Sequence, residues 1–334
     1  MMIRSKLSMT LVIALCCTLI GPSLLSADEG TTKFKIATIA PDGTPWAVLL
    51  NGFKKKIVKG SGKALSPRVY LNGLKGDEQS IVRQVHKGSL QMGGVSTGAL
   101  STIVPDMDIL ELPYAFPDFE AADRVLDSVR PTVEEILNEK GLTLLMYSEN
   151  GYRSFATKDK CIQSPADLKA MKMRSQESEV HVETYRALGA SPVTISVGEV
   201  LSSLQTGVVN GFDNTPIITQ ALGWNQAIKF FSNTRHIYQP ALIIMNKAWF
   251  DSLSEEHQKL MRETAMNMEK NGRKMVRKLE PALMKNFADQ EVKVCDLTPA
   301  QIAEFKASTA SVWEVRAKKA SPLGKKLIEA MKGK

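Results

Sequence analysis

Two arginines follow predicted buried strands, and each could present its cation to a ligand. Arg174 ends the strand-like segment "MKMRS", and Arg153 lies in "ENGYRSF", just after the apolar strand "LTLLMYS". In open α/β sheets, ligands bind beyond the carboxyl ends of the strands, and a guanidinium there offers two parallel N–H donors to a carboxylate. A structural salt bridge to a nearby Asp or Glu would use an arginine equally well. The spacing leaves both interpretations open.

The segment "GVSTG" at 94–98 matches the G-x-S-x-G pattern that carries the nucleophilic serine of many hydrolases. A strand leads into Ser96, and Asp213 followed by His236 or His257 could supply the acid and the base by order alone. The residues after Ser96 are weakly periodic, however, where the nucleophile should open a helix. A small, polar strand end whose backbone faces a ligand has the same composition. A secreted serine hydrolase is therefore the alternative function.

The four histidines are isolated from one another and from any metal-ligand spacing. His86, His181 and His257 fall in polar helical contexts and are predicted on the surface, whereas His236 lies in a strand-like segment and is predicted to be buried. Neither a dinucleotide-binding nor a P-loop pattern of glycines occurs. We therefore expect no metal and no cofactor.

The first 27 residues have the features of a secretory signal peptide. Arg4 and Lys6 precede the apolar run "LVIALCCTLIGPSLL", and Ala27 is a small residue at the expected cleavage position. An uncleaved anchor helix is the alternative. No later segment is long and apolar enough to cross a membrane. We therefore expect residues 1–27 to be removed and the mature protein to be periplasmic.

The charge of the chain is moderately positive, with 43 basic and 35 acidic residues among 334. The basic residues are dispersed and have few aromatic neighbours, so the pattern predicts no nucleic-acid partner. A mild positive field would still help to gather small anions. Cys161 and Cys295 are the cysteines beyond the signal peptide. An oxidising compartment would permit their pairing, but the sequence leaves it open.

Strand-like and helix-like segments alternate from residue 33 to about residue 246. This alternation predicts an α/β fold with largely parallel sheets. From Ser254 the pattern becomes helical, and a stripe of Met, Ala and Gly keeps a period near 3.6 up to Pro281. We interpret the stripe as a packing face. No disordered linker interrupts the chain, which favours lobes joined by short connections.

Five stretches of the chain resemble the substrate-binding proteins of tripartite ATP-independent periplasmic (TRAP) transporters, of the family that captures dicarboxylates, sialic acid and related organic acids. The resemblance covers about residues 33–320. The stretches are "GDEQSIVRQVHKGSLQMGGVSTGAL", "LELPYAF", "NGYRSFATKDKCIQSPADLKAMKMRSQES", "LGASPVTISVGEVLSSLQTGVVNGFDN" and "FDSLSEEHQKLMRETA". The third and fourth are long and specific.

The resemblance implies a two-lobe periplasmic binding protein fold, in which each lobe has a mostly parallel sheet flanked by helices. We expect lobe I to comprise residues 28–151 and 240–279, and lobe II residues 152–239 and 280–334. The long helix that begins near Ser254 would span both lobes. Substrate would bind in the cleft between the lobes, and closure would bury it.

The resemblance also implies which residues bind the ligand. The arginine matching Arg174 holds the substrate carboxylate as a bidentate ion pair, the arginine matching Arg153 often adds a contact, and the asparagine matching Asn214 bonds the carboxylate or a hydroxyl. By their positions at strand ends, we add four lining residues: Trp46, Glu78, Ser96 and Phe212.

Phe212 stands where the family usually has a polar residue, and Asp213 replaces the usual Glu. These departures predict a more apolar lining and a ligand with an aromatic or aliphatic body. The leading hypothesis is a binding protein, not an enzyme, that delivers an organic acid to TRAP membrane permease subunits.

Overall fold

A computed structural model describes residues 30–333 of the protein. The predicted signal peptide, residues 1–27, lies outside the described residues. Among the helices that are described, none is both long enough and apolar enough to cross a lipid bilayer.

Helices and strands alternate along the described chain, as predicted. The strands are β1 Thr32–Thr38, β2 Leu65–Tyr70, β3 Met92–Ser96, β4 Leu142–Thr157, β5 Lys172–Ser175, β6 Ser191–Thr194, β7 Gly211–Asn214, β8 Phe230–Asn246 and β9 Lys293–Cys295. The α-helices are α1 Pro45–Gly60, α2 Glu78–His86, α3 Thr97–Leu100, α4 Phe119–Glu139, α5 Glu179–Ala187, α6 Val200–Gln205, α7 Pro216–Ala221, α8 Lys247–Asp251, α9 Glu255–Asp289, α10 Pro299–Ser308, α11 Ala310–Lys319 and α12 Pro322–Lys332. Short 3₁₀ helices cover Pro105–Glu111, Pro165–Leu168, Val197–Glu199 and Trp224–Ala227.

The described strands form one mixed sheet in the order β2-β1-β3-β8-β4-β7-β5-β6, with β9 beside β8. At one end β2, β1 and β3 run parallel, and at the other end β7, β5 and β6 do so. The long strands β8 and β4 lie between these groups and are antiparallel to each other. The α/β prediction is confirmed, and the two parallel groups are joined by a shared antiparallel pair.

The central strand β4 is longer than the sequence indicated. It is buried along its whole length and continues through "ENGYRSF" to Thr157, so Arg153 lies within a strand and not just after one. The pairing with β8 shifts register near Glu149, opposite Pro240, and Gly151 has a φ of +97°. Proline cannot donate to the ladder. Since a bulge redirects the chain without ending the strand, β4 passes this irregularity and presents Arg153 near the middle of the sheet.

The predicted lobe boundaries fall inside the two long strands. The boundary at 151/152 lies in β4, and the boundary at 239/240 lies in β8. Before and after these points, the strands contribute to separate hydrophobic clusters: Leu145 packs with residues of α1, whereas Ala156 packs with Phe212. The division into lobes stays a prediction.

Helix α9 contacts both α1 and α7, and it extends past Pro281. Gly272 packs closely on Leu49 of α1, and Val276 packs with Ile218 of α7. Beyond the proline, Phe287 is fully buried and stacks on Phe231 at a ring distance of 4.6 Å. This packing offsets the hydrogen bond that a proline removes from a helix, so the predicted end at Pro281 is wrong.

Two short helix starts bring lining residues to the sheet. Thr44 caps α1 by accepting a hydrogen bond from the Ala47 N–H at 3.4 Å, and Trp46 follows in the first turn. Asp77 caps α2 by accepting from the Ser80 N–H at 2.7 Å, and Glu78 is the first helical residue. Because side chains at N-caps fix the direction in which the chain enters a helix, these caps position Trp46 and Glu78.

Cys161 and Cys295 form a disulfide, with their Cα atoms 6.0 Å apart and a separation of 134 residues. Cys295 ends β9, whose residues pair with β8. The bond therefore ties the C-terminal part of the chain to the segment that follows β4.

We expect reduction of this disulfide to destabilise the protein by roughly 2–5 kcal/mol, because it closes a long loop in the unfolded chain. This corresponds to a fall in Tm of about 5–15 °C. The measurement is thermal unfolding with and without dithiothreitol. The Cys161→Ala, Cys295→Ala double variant should unfold at the Tm of the reduced protein and be insensitive to the reductant. A wild-type Tm that dithiothreitol leaves unchanged would contradict the prediction.

Candidate functional site

A central cleft lies where the two groups of strands meet. Its volume is about 530 Å³, counted out to open solvent. The lining is mostly polar: Thr38, Glu78, Gln79, Asn150, Arg153, Arg174, Gln176, Glu177, Asn214 and Gln239, with Ile39, Ala40, Trp46, Gly94, Val95, Val197 and Ile218. The lining residues come from both ends of the sheet. The cleft therefore lies between the two groups, where the carboxyl ends of β1 and β3 face those of β5 and β7.

Arg174 lies in β5 and is 2% exposed. Its Nε donates to the Ile195 carbonyl at 2.9 Å, and its guanidinium lies over the Trp224 ring at 5.5 Å. Within residues 30–333, no carboxylate forms an ion pair with Arg174. Burial and the nearby Arg153 lower its pKa to about 10, so the side chain stays charged at neutral pH. The cleft therefore contains a buried cation without an ionic partner from the described chain.

Arg153 is paired. Its Nε donates to Asp213 Oδ2 at 2.6 Å, and its Nη2 donates to the Asp213 carbonyl at 2.5 Å. Nη1 faces the amide oxygens of Gln176, Asn214 and Gln239 at 3.0–3.3 Å. Burial alone would raise the pKa of Asp213, but the charge of Arg153 holds it well below the usual range. The two arginines therefore differ: among the described residues, Arg153 has a carboxylate that neutralises its charge and Arg174 has none.

Three more predicted site residues line the cleft: Asn214, Trp46 and Glu78. Asn214 Oδ1 accepts from Arg153 and from the Thr215 N–H, which leaves its amide nitrogen as a donor. Trp46 donates from Nε1 to the Glu149 carbonyl at 3.3 Å. A Cβ at Gly94 would come within 3.0 Å of the indole, so glycine at this position allows Trp46 to lie on the sheet.

Glu78 reaches from the start of α2 to Ser96. Its Oε1 accepts from the Ser96 N–H at 2.7 Å, and its Oε2 accepts from the Ser96 hydroxyl at 3.2 Å. Ser96 itself caps α3 and accepts from Gln176 Nε2 at 3.0 Å. Ser96 therefore lies behind Glu78 and does not line the cleft.

Phe212 also lies outside the cleft. It is fully buried and packs edge-on against Trp224 at a ring distance of 5.1 Å. Because Phe212 pairs with Arg174 across neighbouring strands, it supports the tryptophan over which the guanidinium lies. The placement of Phe212 in the lining, and the apolar lining inferred from it, do not agree with the structure.

Residues 36–320 match the family described as "Bacterial extracellular solute-binding protein, family 7".

The chain belongs to this family.

A solute-binding protein of Verminephrobacter eiseniae is 31% identical over 72% of this chain and 71% of its own. The 2,3-diketo-L-gulonate-binding periplasmic protein YiaO of Escherichia coli is 28% identical over 69% of this chain and 70% of its own. The structure is similar to a TRAP periplasmic solute-binding protein of Bradyrhizobium sp. in complex with D-galacturonate. That match has a TM-score of 0.85 and 29% identity, and it covers 91% of this chain and 100% of the other. The resemblance to TRAP binding proteins and the predicted fold are confirmed.

Membership of a solute-binding family agrees with the surroundings of Ser96. The Ser96 hydroxyl contacts a carboxylate and an amide, and no histidine of the described chain bonds to it. His236 Nδ1 bonds to the Thr234 hydroxyl at 2.8 Å, and its Nε2 faces Asp213 Oδ2 at 3.4 Å. His257 lies in the first turn of α9. Neither candidate histidine therefore forms the serine–histidine contact that nucleophile activation requires.

Several buried polar residues in the lining of the cleft and behind it were not predicted. Gln239 connects Arg153, Asn150 and Glu111 by hydrogen bonds. His181, predicted on the surface, is buried and pairs with Glu111. Burial alone would raise the pKa of Glu111, but His181 holds it below its usual value.

The sequence contains little signal for these residues, because glutamines and single histidines have no diagnostic spacing. Within the described residues, no group of His, Cys, Asp and Glu side chains is arranged to hold a metal ion.

Proposed function

We propose that this protein captures a sugar acid in the central cleft, by an ion pair between the ligand carboxylate and Arg174, and delivers it to the membrane permease of a TRAP transporter. The chemistry of named relatives supports the ligand class. The E. coli relative is named for 2,3-diketo-L-gulonate, and the Bradyrhizobium protein was crystallised with D-galacturonate. Both compounds join one carboxylate to several oxygen groups.

The observation that carries this proposal is the contrast between the two arginines. Arg153 has Asp213 at 2.6 Å, whereas Arg174 is equally buried and has no ion pair in the described chain. A buried cation without a partner costs folding free energy. A buried cation of this kind favours the binding of an anionic ligand, because the ion pair then forms away from water and is strong.

The remaining lining favours a ligand rich in hydroxyl groups. Gln79, Asn150 and Asn214 offer amide groups, and Glu78 offers carboxylate oxygens. Such groups lose hydrogen bonds to water when the cleft is occupied, so an aliphatic body would leave them unsatisfied. Hydroxyl groups both donate and accept, and they would satisfy them.

The same proposal includes the cellular arrangement. Residues 1–27 would direct export to the periplasm, and the mature protein would act as a binding protein without catalysis. Residues 28–151 with 240–279 would form lobe I, and residues 152–239 with 280–334 would form lobe II. Ligand in the cleft would hold the lobes together, and the permease would recognise this closed form.

A thermal-shift screen tests the proposal. D-galacturonate, D-glucuronate and D-galactonate should raise the Tm, because a ligand at about 1,000 times its Kd stabilises the folded state by roughly 4 kcal/mol. D-galactose is the matched neutral control and should have no effect at equal concentration. If a broad panel of organic acids leaves the Tm unchanged, the proposal is wrong.

A further inference from the structure

Glu78 places a carboxylate in the wall of the cleft that also contains Arg174. Ser96 holds both carboxylate oxygens in place, through its backbone N–H at 2.7 Å and its hydroxyl at 3.2 Å. Each carboxylate oxygen has two acceptor sites. These two bonds use one site on each oxygen and leave the others for a ligand. The side chain is thus a fixed acceptor and not a mobile surface acid.

No cation pairs with Glu78 among the described residues. Ser96 of β3 stabilises the charged form of Glu78 by hydrogen bonds, and two charged groups from other elements also act on it: Glu111 of the 3₁₀ helix Pro105–Glu111 raises its pKa, and Arg174 of β5 lowers it. Asp77, which precedes it, is committed to capping Ser80. Burial is the largest effect, and it raises the pKa of Glu78 to about 7. Glu78 therefore carries a negative charge above neutral pH.

We propose that Glu78 restricts the cleft to acids with a single carboxylate and a hydroxylated body, and excludes dicarboxylates. This inference rests on the proposed function, because it assumes that the first carboxylate binds Arg174. The remainder of a ligand held there must then lie beside Glu78. A hydroxyl group can donate to the free acceptor sites of Glu78, whereas a second carboxylate has no proton to donate.

A second carboxylate would also find no free cation among the described residues that line the cleft. Arg153, the other arginine of the cleft, is neutralised by Asp213, and its Nε and Nη2 are occupied by that residue. The second lining acid, Glu177, accepts from Gln79 at 2.6 Å and adds further negative charge. Two like charges about 5 Å apart at an effective dielectric near 20 repel strongly enough to reduce binding by up to a few hundred-fold. The exclusion is therefore electrostatic.

Protonation of Glu78 should weaken the exclusion. Below its pKa the side chain becomes neutral and can donate a hydrogen bond to a second carboxylate. The preference for monocarboxylates should therefore be largest at pH 8.5 and smaller at pH 6. The ligand carboxylates stay ionised over this range, so the change reports on the protein.

The test uses two pairs of open-chain acids that differ by one carboxylate: D-galactonate with galactarate, and D-gluconate with D-glucarate. Titration calorimetry at pH 8.5 gives the ratio of Kd values within each pair. We expect the wild type to bind the monocarboxylate at least about tenfold more tightly. Glu78→Gln keeps the shape and removes the charge, and it should reduce the ratio to about threefold or less. Glu139→Gln removes the same charge from an exposed position at the end of α4 and should leave the ratio unchanged.

The outcomes separate this inference from the proposed function. If the wild type prefers the dicarboxylates, or if Glu78→Gln leaves the ratio unchanged while both proteins bind these acids, Glu78 is not the selector and capture by Arg174 still stands. If none of the four acids and no other organic acid binds, both proposals are wrong. The ratio is independent of a general loss of stability, and the Tm of each variant is measured beside it.

Discussion

Replacing Arg174 by Met is expected to abolish ligand capture without destabilising the free protein. The variant keeps the volume of the side chain over Trp224 but removes the fork that would bind the carboxylate. Loss of one partner of a buried ion pair weakens binding by roughly 2–5 kcal/mol, which is about 30-fold or more in Kd. The measurement is calorimetry with the acid that raises the wild-type Tm most.

The Arg174→Met variant is also expected to be at least as stable as the wild type. Burial lowers the pKa of Arg174 to about 10, which means that the charged form is disfavoured in the folded protein. Removing an uncompensated buried cation should therefore leave the Tm unchanged or raise it. Arg174→Lys is the control for charge alone, and it should also bind poorly because one ammonium cannot form two parallel bonds. Full affinity in Arg174→Met would reject the role of this residue.

Replacing Arg153 by Met, in contrast, is expected to destabilise the folded protein. The variant would leave Asp213 buried without the guanidinium that pairs with it. The Tyr185 hydroxyl at 2.8 Å and His236 at 3.4 Å would still contact the carboxylate. Breaking a buried ion pair costs roughly 3–5 kcal/mol of unfolding free energy. Urea unfolding followed by circular dichroism measures this loss.

A second substitution distinguishes the charge effect from a packing effect. Asp213→Asn added to Arg153→Met removes the orphaned charge and should recover part of the lost stability, with a coupling energy of about 1–3 kcal/mol. Strictly additive losses in the double variant would show that the ion pair is not the cause.

The same pair sets an acid limit on stability. Burial would raise the pKa of Asp213, but Arg153 holds it well below its usual value in the folded protein. Stability from a carboxyl group with a depressed pKa is fully present above its unfolded pKa and is lost as the pH falls through the folded value. Unfolding free energy of the wild type should therefore fall below about pH 4, and the double variant should show a smaller slope there.

The contrast between Arg153 and Arg174 marks the limit of what the sequence could predict. Both follow apolar strand segments, and both match arginines of the family pattern. A salt bridge and a ligand site were equally compatible with each of them. Arg153 forms a salt bridge with Asp213, which is 60 residues away in the chain. Only the pairing of β4 with β7 brings the two together.

Phe212 shows a related limit. An aromatic residue beside Asn214 suggested an apolar lining, since neighbours in a strand end were assumed to share the cleft. In the structure Phe212 lies beneath Trp224, which comes from a 3₁₀ helix outside the regular strands. His181 is the converse case: a polar helical context predicted exposure, but Glu111 from another segment pairs with it in the interior.

The sequence by itself determined the alternation of strands and helices, the start of the long helix near Ser254 and the family. These depend on local periodicity and on extended motifs, which are written in consecutive residues. Only the tertiary structure decided which arginine has no ionic partner among residues 30–333, which residues line the cleft and that Cys161 meets Cys295. Each of these depends on side chains that are distant in the chain, and their free energies arise from burial and charge pairing that exist only after the sheet has formed.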